Sequence, residues 1–136
     1  MENKRTILII EDDNALRNVL NEKLTDEGFN VITAVNGEEG LEIALREHPA
    51  MILLDILMPK LDGMTMLTRM RGSNDSWAKH VPVMVLTNST DAQTIYRATN
   101  LGASDFLIKS EWSLDAITAK VRERLESVSP SAETPT

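Results

Sequence analysis

One nine-residue stretch, Met51-Ile52-Leu53-Leu54-Asp55-Ile56-Leu57-Met58-Pro59, constrains the fold more than any other part of this sequence. Seven of its nine residues are large and apolar, and a single acid lies in its middle. A short apolar run before a proline is typical of a strand buried on both faces of a parallel sheet. An ionised carboxylate is costly inside such a strand unless the strand ends there. We therefore predict that Asp55 lies at the carboxyl end of a central strand, where open α/β sheets bind ligands.

The composition excludes several classes of function. With 136 residues and no cysteine, the chain fits one domain that has no disulfide, thiol chemistry or thiolate metal site. His48 and His80 are the only histidines, which excludes a histidine-rich metal cluster. A net charge of −7 argues against a nucleic-acid partner. The sequence has neither a signal peptide nor an apolar run of membrane-spanning length, so we expect a cytoplasmic protein without membrane contact.

Apolar segments with strand character alternate with segments of helical periodicity along the chain. The predicted strands are 7–10, 30–35, 51–55, 81–87 and 105–109, and the predicted helix caps are Asp13, Asn36, Asp62, Thr90 and Ser113. Such alternation predicts a doubly wound α/β domain with a parallel five-stranded sheet and helices on both faces. Residues 73–80 are polar and predict a turn. We assign 1–126 to one domain and predict a disordered tail over 127–136, which is rich in Ser, Pro and Thr.

Polar side chains follow four of the five predicted strands. Glu11 and Asp12 follow the first strand, Asp55 ends the third, and Thr87 and Lys109 end the fourth and fifth. Strand ends reach the surface, so each residue alone has an ordinary structural explanation. Together, however, three carboxylates at one edge would repel each other unless a cation lay between them. Carboxylate oxygens suit Mg²⁺, and a hydroxyl and an ammonium suit phosphoryl oxygens. The residues therefore predict a phosphate and divalent-metal site with Asp55 as a possible nucleophile.

These residues, in this order and spacing, resemble the receiver domain of two-component response regulators, of the CheY-like single-domain kind. The resemblance runs from about Thr6 to Leu125. Besides the acids, Thr87 and Lys109, its motifs are Met58-Pro59, Asp62-Gly63 and Gly102-Ala103-Ser104-Asp105-Phe106. It implies a flavodoxin-like (βα)5 sandwich with strand order 2-1-3-4-5.

The resemblance also implies the chemistry of the site. Asp55 would accept a phosphoryl group from a phosphohistidine on a sensor histidine kinase or a histidine phosphotransfer protein. Asp12, Asp55 and the backbone carbonyl of Leu57 would ligate Mg²⁺, with Mn²⁺ as an alternative metal, and Glu11 would act through water. Lys109 would pair with the phosphoryl oxygens.

The same resemblance implies a switch and an output surface. Thr87 would move towards the phosphoryl oxygens, and the aromatic residue Phe106 would follow it inward. The face formed by the fourth predicted helix, the fifth strand and the last helix would then bind an unidentified downstream protein.

Three residues depart from the family pattern. Phe106 stands where Tyr is frequent, Leu57 is apolar where many members are polar, and Ser110 replaces the usual proline. The peptide before that proline is typically cis in the family. With Ser110 the Lys109–Ser110 bond can either keep that geometry or be trans.

The functional prediction is a stand-alone receiver that signals by a phosphorylation-controlled change of partner binding. Its only chemistry would be self-phosphorylation and autodephosphorylation at Asp55, with no turnover of an external substrate. One alternative is a flavodoxin-like cofactor-binding domain, although the acids at 11–13 have the wrong charge for a phosphate loop. A second alternative is a pseudo-receiver that docks without phosphorylation, but it would usually lack the acceptor, an acid or the lysine.

Overall fold

The computed structural model describes residues 5–56, 62–87 and 92–133 of the chain, with only the backbone described for 127–133. Its strands are β1 (Thr6–Ile10), β2 (Asn30–Ala34), β3 (Met51–Asp55), β4 (Val83–Thr87) and β5 (Asp105–Ile108). Its α-helices are α1 (Asn14–Asp26), α2 (Gly37–Glu47), α3 (Gly63–Arg71), α4 (Ser76–His80), α5 (Ala92–Asn100) and α6 (Leu114–Glu133). A short 3-10 turn, Lys109–Glu111, joins β5 to the last helix.

The five strands form one parallel sheet in the order β2-β1-β3-β4-β5. This confirms the predicted doubly wound fold and its 2-1-3-4-5 order. The carboxyl ends of the strands lie at one edge because the pairing is in register: Asp55 pairs with Leu86, and Thr87 pairs with Ile108. The point at which the strand order reverses lies between β1 and β3, so their ends flank the crevice where such sheets bind ligands.

The sheet separates two apolar layers. Alternate residues of each strand point to opposite faces, so Leu8 and Leu54 pack with α2, α3, α4 and α5, whereas Ile9 and Leu53 pack with α1 and α6. β3 and β4 are buried along their whole length. Burial on both faces is the physical reason why these strands are continuous apolar runs in the sequence.

Four of the predicted helix caps are confirmed by hydrogen bonds. The side-chain oxygen of each cap accepts from a backbone N–H three residues later: Asp13 from Leu16 at 3.2 Å, Asn36 from Glu39 at 2.8 Å, Asp62 from Thr65 at 2.8 Å and Ser113 from Ala116 at 3.1 Å. The predicted cap Thr90 lies outside the described residues. These bonds fix where the helices start and therefore how each strand end meets the next helix.

The predicted turn over 73–80 is wrong in part, because residues 76–80 form the short helix α4. Asp75 caps this helix by accepting from the backbone N–H of Trp77 at 2.9 Å. The Trp77 indole donates to the Pro49 carbonyl at 3.0 Å and stacks on His48, with ring centroids 4.5 Å apart. A five-residue helix has little stability of its own, and these long-range contacts hold it in place.

The last helix continues to Glu133, so the backbone of 127–133 is helical where the sequence predicts a tail without regular structure. No glycine follows Glu126 to end the helix there. The division of the chain into 1–126 and 127–136 therefore stays a prediction. Among the described residues no helix is long and apolar enough to span a membrane.

Because α4 is an additional helix, the predicted output face corresponds to α5, β5 and α6. Asp105 of β5 and Arg124 of α6 are joined across it by two contacts, at 2.9 Å and 3.2 Å. The described part of the chain has no cis peptide bond, so the Lys109–Ser110 bond is trans.

Candidate functional site

Asp55 ends the central strand β3 and is only 5% exposed. Helix α3 begins directly against it: the Gly63 N–H donates to the Ile56 carbonyl at 2.9 Å. A Cβ atom on Gly63 would lie 2.3 Å from the Asp55 carbonyl oxygen, so only glycine permits this close approach. The backbone around Asp55 is therefore fixed from two sides, by the sheet and by the start of α3.

Two further acids follow β1, at the neighbouring strand end. Glu11 is 2% exposed, and its Oε2 accepts from the backbone N–H of Asp13 at 3.1 Å. The Glu11 carbonyl accepts from Arg17 Nη1 at 2.8 Å, and the Arg17 guanidinium also bonds Asn14. Asp12 is exposed. The segment that carries Glu11 and Asp12 is thus held by α1. Sequence reasoning missed the part played by Arg17, because an arginine on a polar helix face has no distinguishing local pattern.

Lys109 reaches across the strand ends to both buried acids. Its Nζ lies 2.8 Å from Glu11 Oε1 and 3.2 Å from Asp55 Oδ2. The geometry at Glu11 Oε1 is that of an ion pair without a well-directed hydrogen bond. Burial lowers the pKa of Lys109, but the contact with Glu11 and the charges of Asp55 and Glu11 outweigh it, so the pKa of Lys109 is raised above its ordinary value. The side chain is therefore an ammonium ion at neutral pH.

Glu11, Asp12 and Asp55 each place a carboxylate oxygen within 4.8 Å of the others. One ammonium cannot neutralise three carboxylates at this spacing, so the cluster keeps a negative charge. Oxygen donors of this kind, one of them exposed, suit a hard divalent cation that keeps part of its water shell. The donor set therefore fits a metal site. The carbonyl of Leu57, the fourth predicted ligand group, lies outside the described residues.

Thr87 and Phe106 belong to β4 and β5, which lie on the side of β3 opposite to β1 and its two acids. Thr87 ends β4 and is fully buried, one residue beyond Leu86, the partner of Asp55 in the sheet. Phe106 of β5 is half-buried and packs against the apolar layer that includes α5. The structure thus brings Glu11, Asp12, Asp55, Thr87 and Lys109 to the same edge of the sheet, as the sequence predicts.

The sequence of the chain matches the family model of the response regulator receiver domain over residues 7–122. This chain belongs to the response regulator receiver domain family. It is 36% identical over 134 residues to the probable transcriptional regulator ycf27 of Porphyridium aerugineum, covering 97% of this chain and 54% of that protein. It is 32% identical over 124 residues to the response regulator MprA of Mycobacterium leprae, covering 91% of this chain and 52% of that protein.

Among solved structures, the fold is similar to a CheY-like response regulator receiver domain protein from Methanospirillum hungatei. The TM-score is 0.84 at 23% identity, covering 92% of this chain and 96% of that one. At this identity the likeness shows the fold alone. The chain spans about half the length of the curated relatives it matches.

Proposed function

We propose that Asp55 accepts a phosphoryl group from a phosphohistidine and that this reaction controls which surface the domain presents to a partner. One observation carries the proposal: the Lys109 ammonium contacts Asp55 and Glu11, at 3.2 Å and 2.8 Å, beside an acid cluster that fits a metal. The phosphodonor would be a sensor histidine kinase or a histidine phosphotransfer protein.

In the transfer, an Asp55 carboxylate oxygen forms a bond to phosphorus while the phosphorus–nitrogen bond to the donor imidazole breaks. The electron pair of that bond stays on the imidazole nitrogen. Hydrolysis of the resulting acyl phosphate by water restores the carboxylate, so no external substrate is turned over. Both steps depend on positioning and on stabilising charge rather than on acid–base chemistry by the protein.

The residues around Asp55 would each hold part of the developing charge. The Lys109 ammonium already contacts the Asp55 carboxylate. It would therefore be within reach of the oxygens of a phosphoryl group attached to Asp55. Asp12 and Asp55 would hold Mg²⁺, or Mn²⁺, together with the Leu57 carbonyl, and Glu11 would act through water. When bound, the metal supplies positive charge that offsets the charge on the acids and on the phosphoryl oxygens.

We further propose that Thr87 donates its hydroxyl to a phosphoryl oxygen and that Phe106 moves with it. Thr87 ends the strand beside Asp55, and Phe106 lies on the next strand. The α5–β5–α6 face would report this movement to a downstream protein. Support for this comes from Phe106, which packs against the layer that contains α5.

The proposal is tested by incubating the chain with Mg²⁺ and acetyl phosphate and then measuring its intact mass. Wild type is expected to gain one phosphoryl group, and Asp55→Asn none. Asp26→Asn, an exposed acid on α1, is the matched control and is expected to behave as wild type. Labelling of Asp55→Asn at the wild-type rate would refute the assignment of the acceptor.

The names of the relatives favour a second candidate for what the domain acts on when it is phosphorylated, namely a domain that controls transcription. The ycf27 proteins are named probable transcriptional regulators, and the chain spans about half their length. On this reading the α5–β5–α6 face would act on a domain that controls transcription, and the stand-alone organisation stays a prediction. Since the chain itself has a net charge of −7, we expect no shift of duplex DNA in a mobility assay with the phosphorylated chain. A shift would make the receiver itself a DNA-binding protein.

A further inference from the structure

Arg71, the last residue of α3, donates three hydrogen bonds to backbone carbonyls elsewhere in the chain. Its Nε donates to the Leu101 carbonyl at 2.7 Å, and its Nη2 donates to the Gly102 carbonyl at 3.1 Å. Its Nη1 donates to the Ala78 carbonyl of α4 at 3.1 Å. In the part of the chain that the structure describes, no acidic side chain pairs with Arg71. Its guanidinium therefore acts on backbone groups rather than in an ion pair.

The two carbonyls of Leu101 and Gly102 belong to the C-terminal cap of α5. The Ala103 N–H donates to the Ala98 carbonyl at 3.0 Å, the Gly102 N–H donates to the Thr99 carbonyl at 2.9 Å, and Gly102 has φ +82°. This is a Schellman cap, which satisfies the carbonyls of Ala98 and Thr99. Arg71 bonds the carbonyls of Leu101 and Gly102, just beyond the helix, and places a positive charge at the negative end of the helix dipole.

Helix α5 is otherwise shallowly packed. Ala98, in its last turn, is the only buried residue among its described side chains. Both the buried contact and the arginine contacts therefore lie at the C-terminal end of α5. Helix α3, which provides Arg71, begins against the Asp55 peptide, where the Gly63 N–H donates to the Ile56 carbonyl at 2.9 Å. Nine residues of helix thus join the end of the acceptor strand to the end of α5.

We propose that Arg71 is a positioning residue that pins the C-terminal end of α5 to α3 and α4, and that phosphorylation rearranges the α5–β5–α6 face about this fixed end. The first claim concerns the pin, by which we mean the three hydrogen bonds from Arg71 to the carbonyls of Ala78, Leu101 and Gly102, and it is independent of phosphorylation. The second half of the inference, the rearrangement on phosphorylation, rests on the proposed function.

The shape of the guanidinium makes the pin specific to arginine. Three N–H groups in one plane reach three carbonyls, which a lysine ammonium on a flexible stem cannot do. Burial lowers the pKa of Arg71, but a guanidinium stays charged at neutral pH. Arg71→Lys therefore keeps the charge and loses most of the contacts, while Arg71→Met loses both. Arg69→Met, an exposed arginine on the same helix, is the matched control.

Amide hydrogen exchange of the unphosphorylated chain tests the pin. In Arg71→Met we expect amides of 98–103 to exchange about tenfold faster than in wild type, since a lost hydrogen bond changes local opening by roughly this factor. Arg71→Lys should lie between Arg71→Met and wild type, and Arg69→Met should match wild type. Rates within about twofold of wild type in both Arg71 variants would overturn the inference. An equal acceleration in β1 and β3 would also overturn it, because it would mean a general loss of stability.

The same measurement after treatment with acetyl phosphate and Mg²⁺ tests the second half. All variants should gain one phosphoryl group, because Arg71 does not touch the acceptor. In wild type the change in exchange should spare 98–103, and in Arg71→Lys it should extend into them. If phosphorylation of wild type changes the exchange of amides 98–103 as much as that of the rest of the α5–β5–α6 face, the proposal that this end of α5 stays fixed is wrong. If wild type gains no phosphoryl group, the proposed function and this second half fail, while the comparison of unphosphorylated chains still decides the pin.

Discussion

At the residue scale, Gly63 shows how the absence of a side chain controls the position of Asp55 relative to α3. Its absent Cβ leaves room for the Asp55 carbonyl, and a methyl group would also lie 2.8 Å from the Ile56 Cα. Both atoms belong to the backbone of the central strand end, which cannot rotate away as a flexible side chain can. The close packing of α3 on the end of β3 therefore helps to set the geometry of the site, in addition to its charged groups.

Gly63→Ala is expected to lower the free energy of unfolding by about 1–3 kcal/mol, the usual cost of overpacking. The measurement is urea unfolding followed by circular dichroism. Gly72→Ala is the control, because its new Cβ would lie 3.3 Å from the nearest atom, the Thr68 carbonyl oxygen, and its φ of −88° is open to alanine. The Gly72 variant should lose clearly less stability, and equal losses in the two variants would contradict the steric argument.

At the element scale, a local side-chain hydrogen bond caps the start of each helix whose preceding residues the structure describes, namely α1, α2, α3, α4 and α6. Helix α2 illustrates this: the Asn36 side chain accepts from the Glu39 N–H at 2.8 Å, and Glu39 Oε1 accepts from the Val35 N–H at 2.8 Å. These two bonds satisfy donors that a helix start and a strand end would otherwise leave open. They join β2 to α2 without any contribution from distant residues.

Asn36→Ala should therefore lower the free energy of unfolding by about 1 kcal/mol, the typical cost of losing an N-cap. Asn18→Ala, at an exposed position inside α1, should cause no loss, because alanine is the better helix former there. Thermal and urea unfolding of both variants measure the difference. If the two substitutions change the free energy of unfolding equally, the explanation by helix capping is wrong.

At the scale of the whole molecule, the acid cluster would link the stability of the fold to metal binding. Three carboxylates within 4.8 Å of each other repel in the folded state, whereas the unfolded chain separates them. A cation that binds only the folded state must raise the free energy of unfolding. The acid cluster is thus a cost to the fold that Lys109 offsets in part and that a bound cation would offset further.

Mg²⁺ at ten times its dissociation constant should therefore stabilise the chain by about 1.4 kcal/mol, measured as a rise in Tm. Asp12→Asn should lose this rise and, without metal, be no less stable than wild type, because one repelling charge is gone. Glu22→Gln, an exposed acid on α1, should keep the full response. A normal magnesium response in Asp12→Asn would place the cation elsewhere.

The sequence by itself determined the alternation of strands and helices, four of the helix caps and the edge at which Asp55 lies. These features depend on local signals: an apolar run that must be buried on both faces, a side chain that can cap a helix, and a carboxylate that cannot stay inside a strand. Only the tertiary structure decided that Lys109 lies closer to Glu11 than to Asp55, that α4 is a helix and that Arg71 holds the end of α5. Each of these depends on partners far away in the chain, and a contact between distant residues leaves no periodic trace in the sequence around either of them.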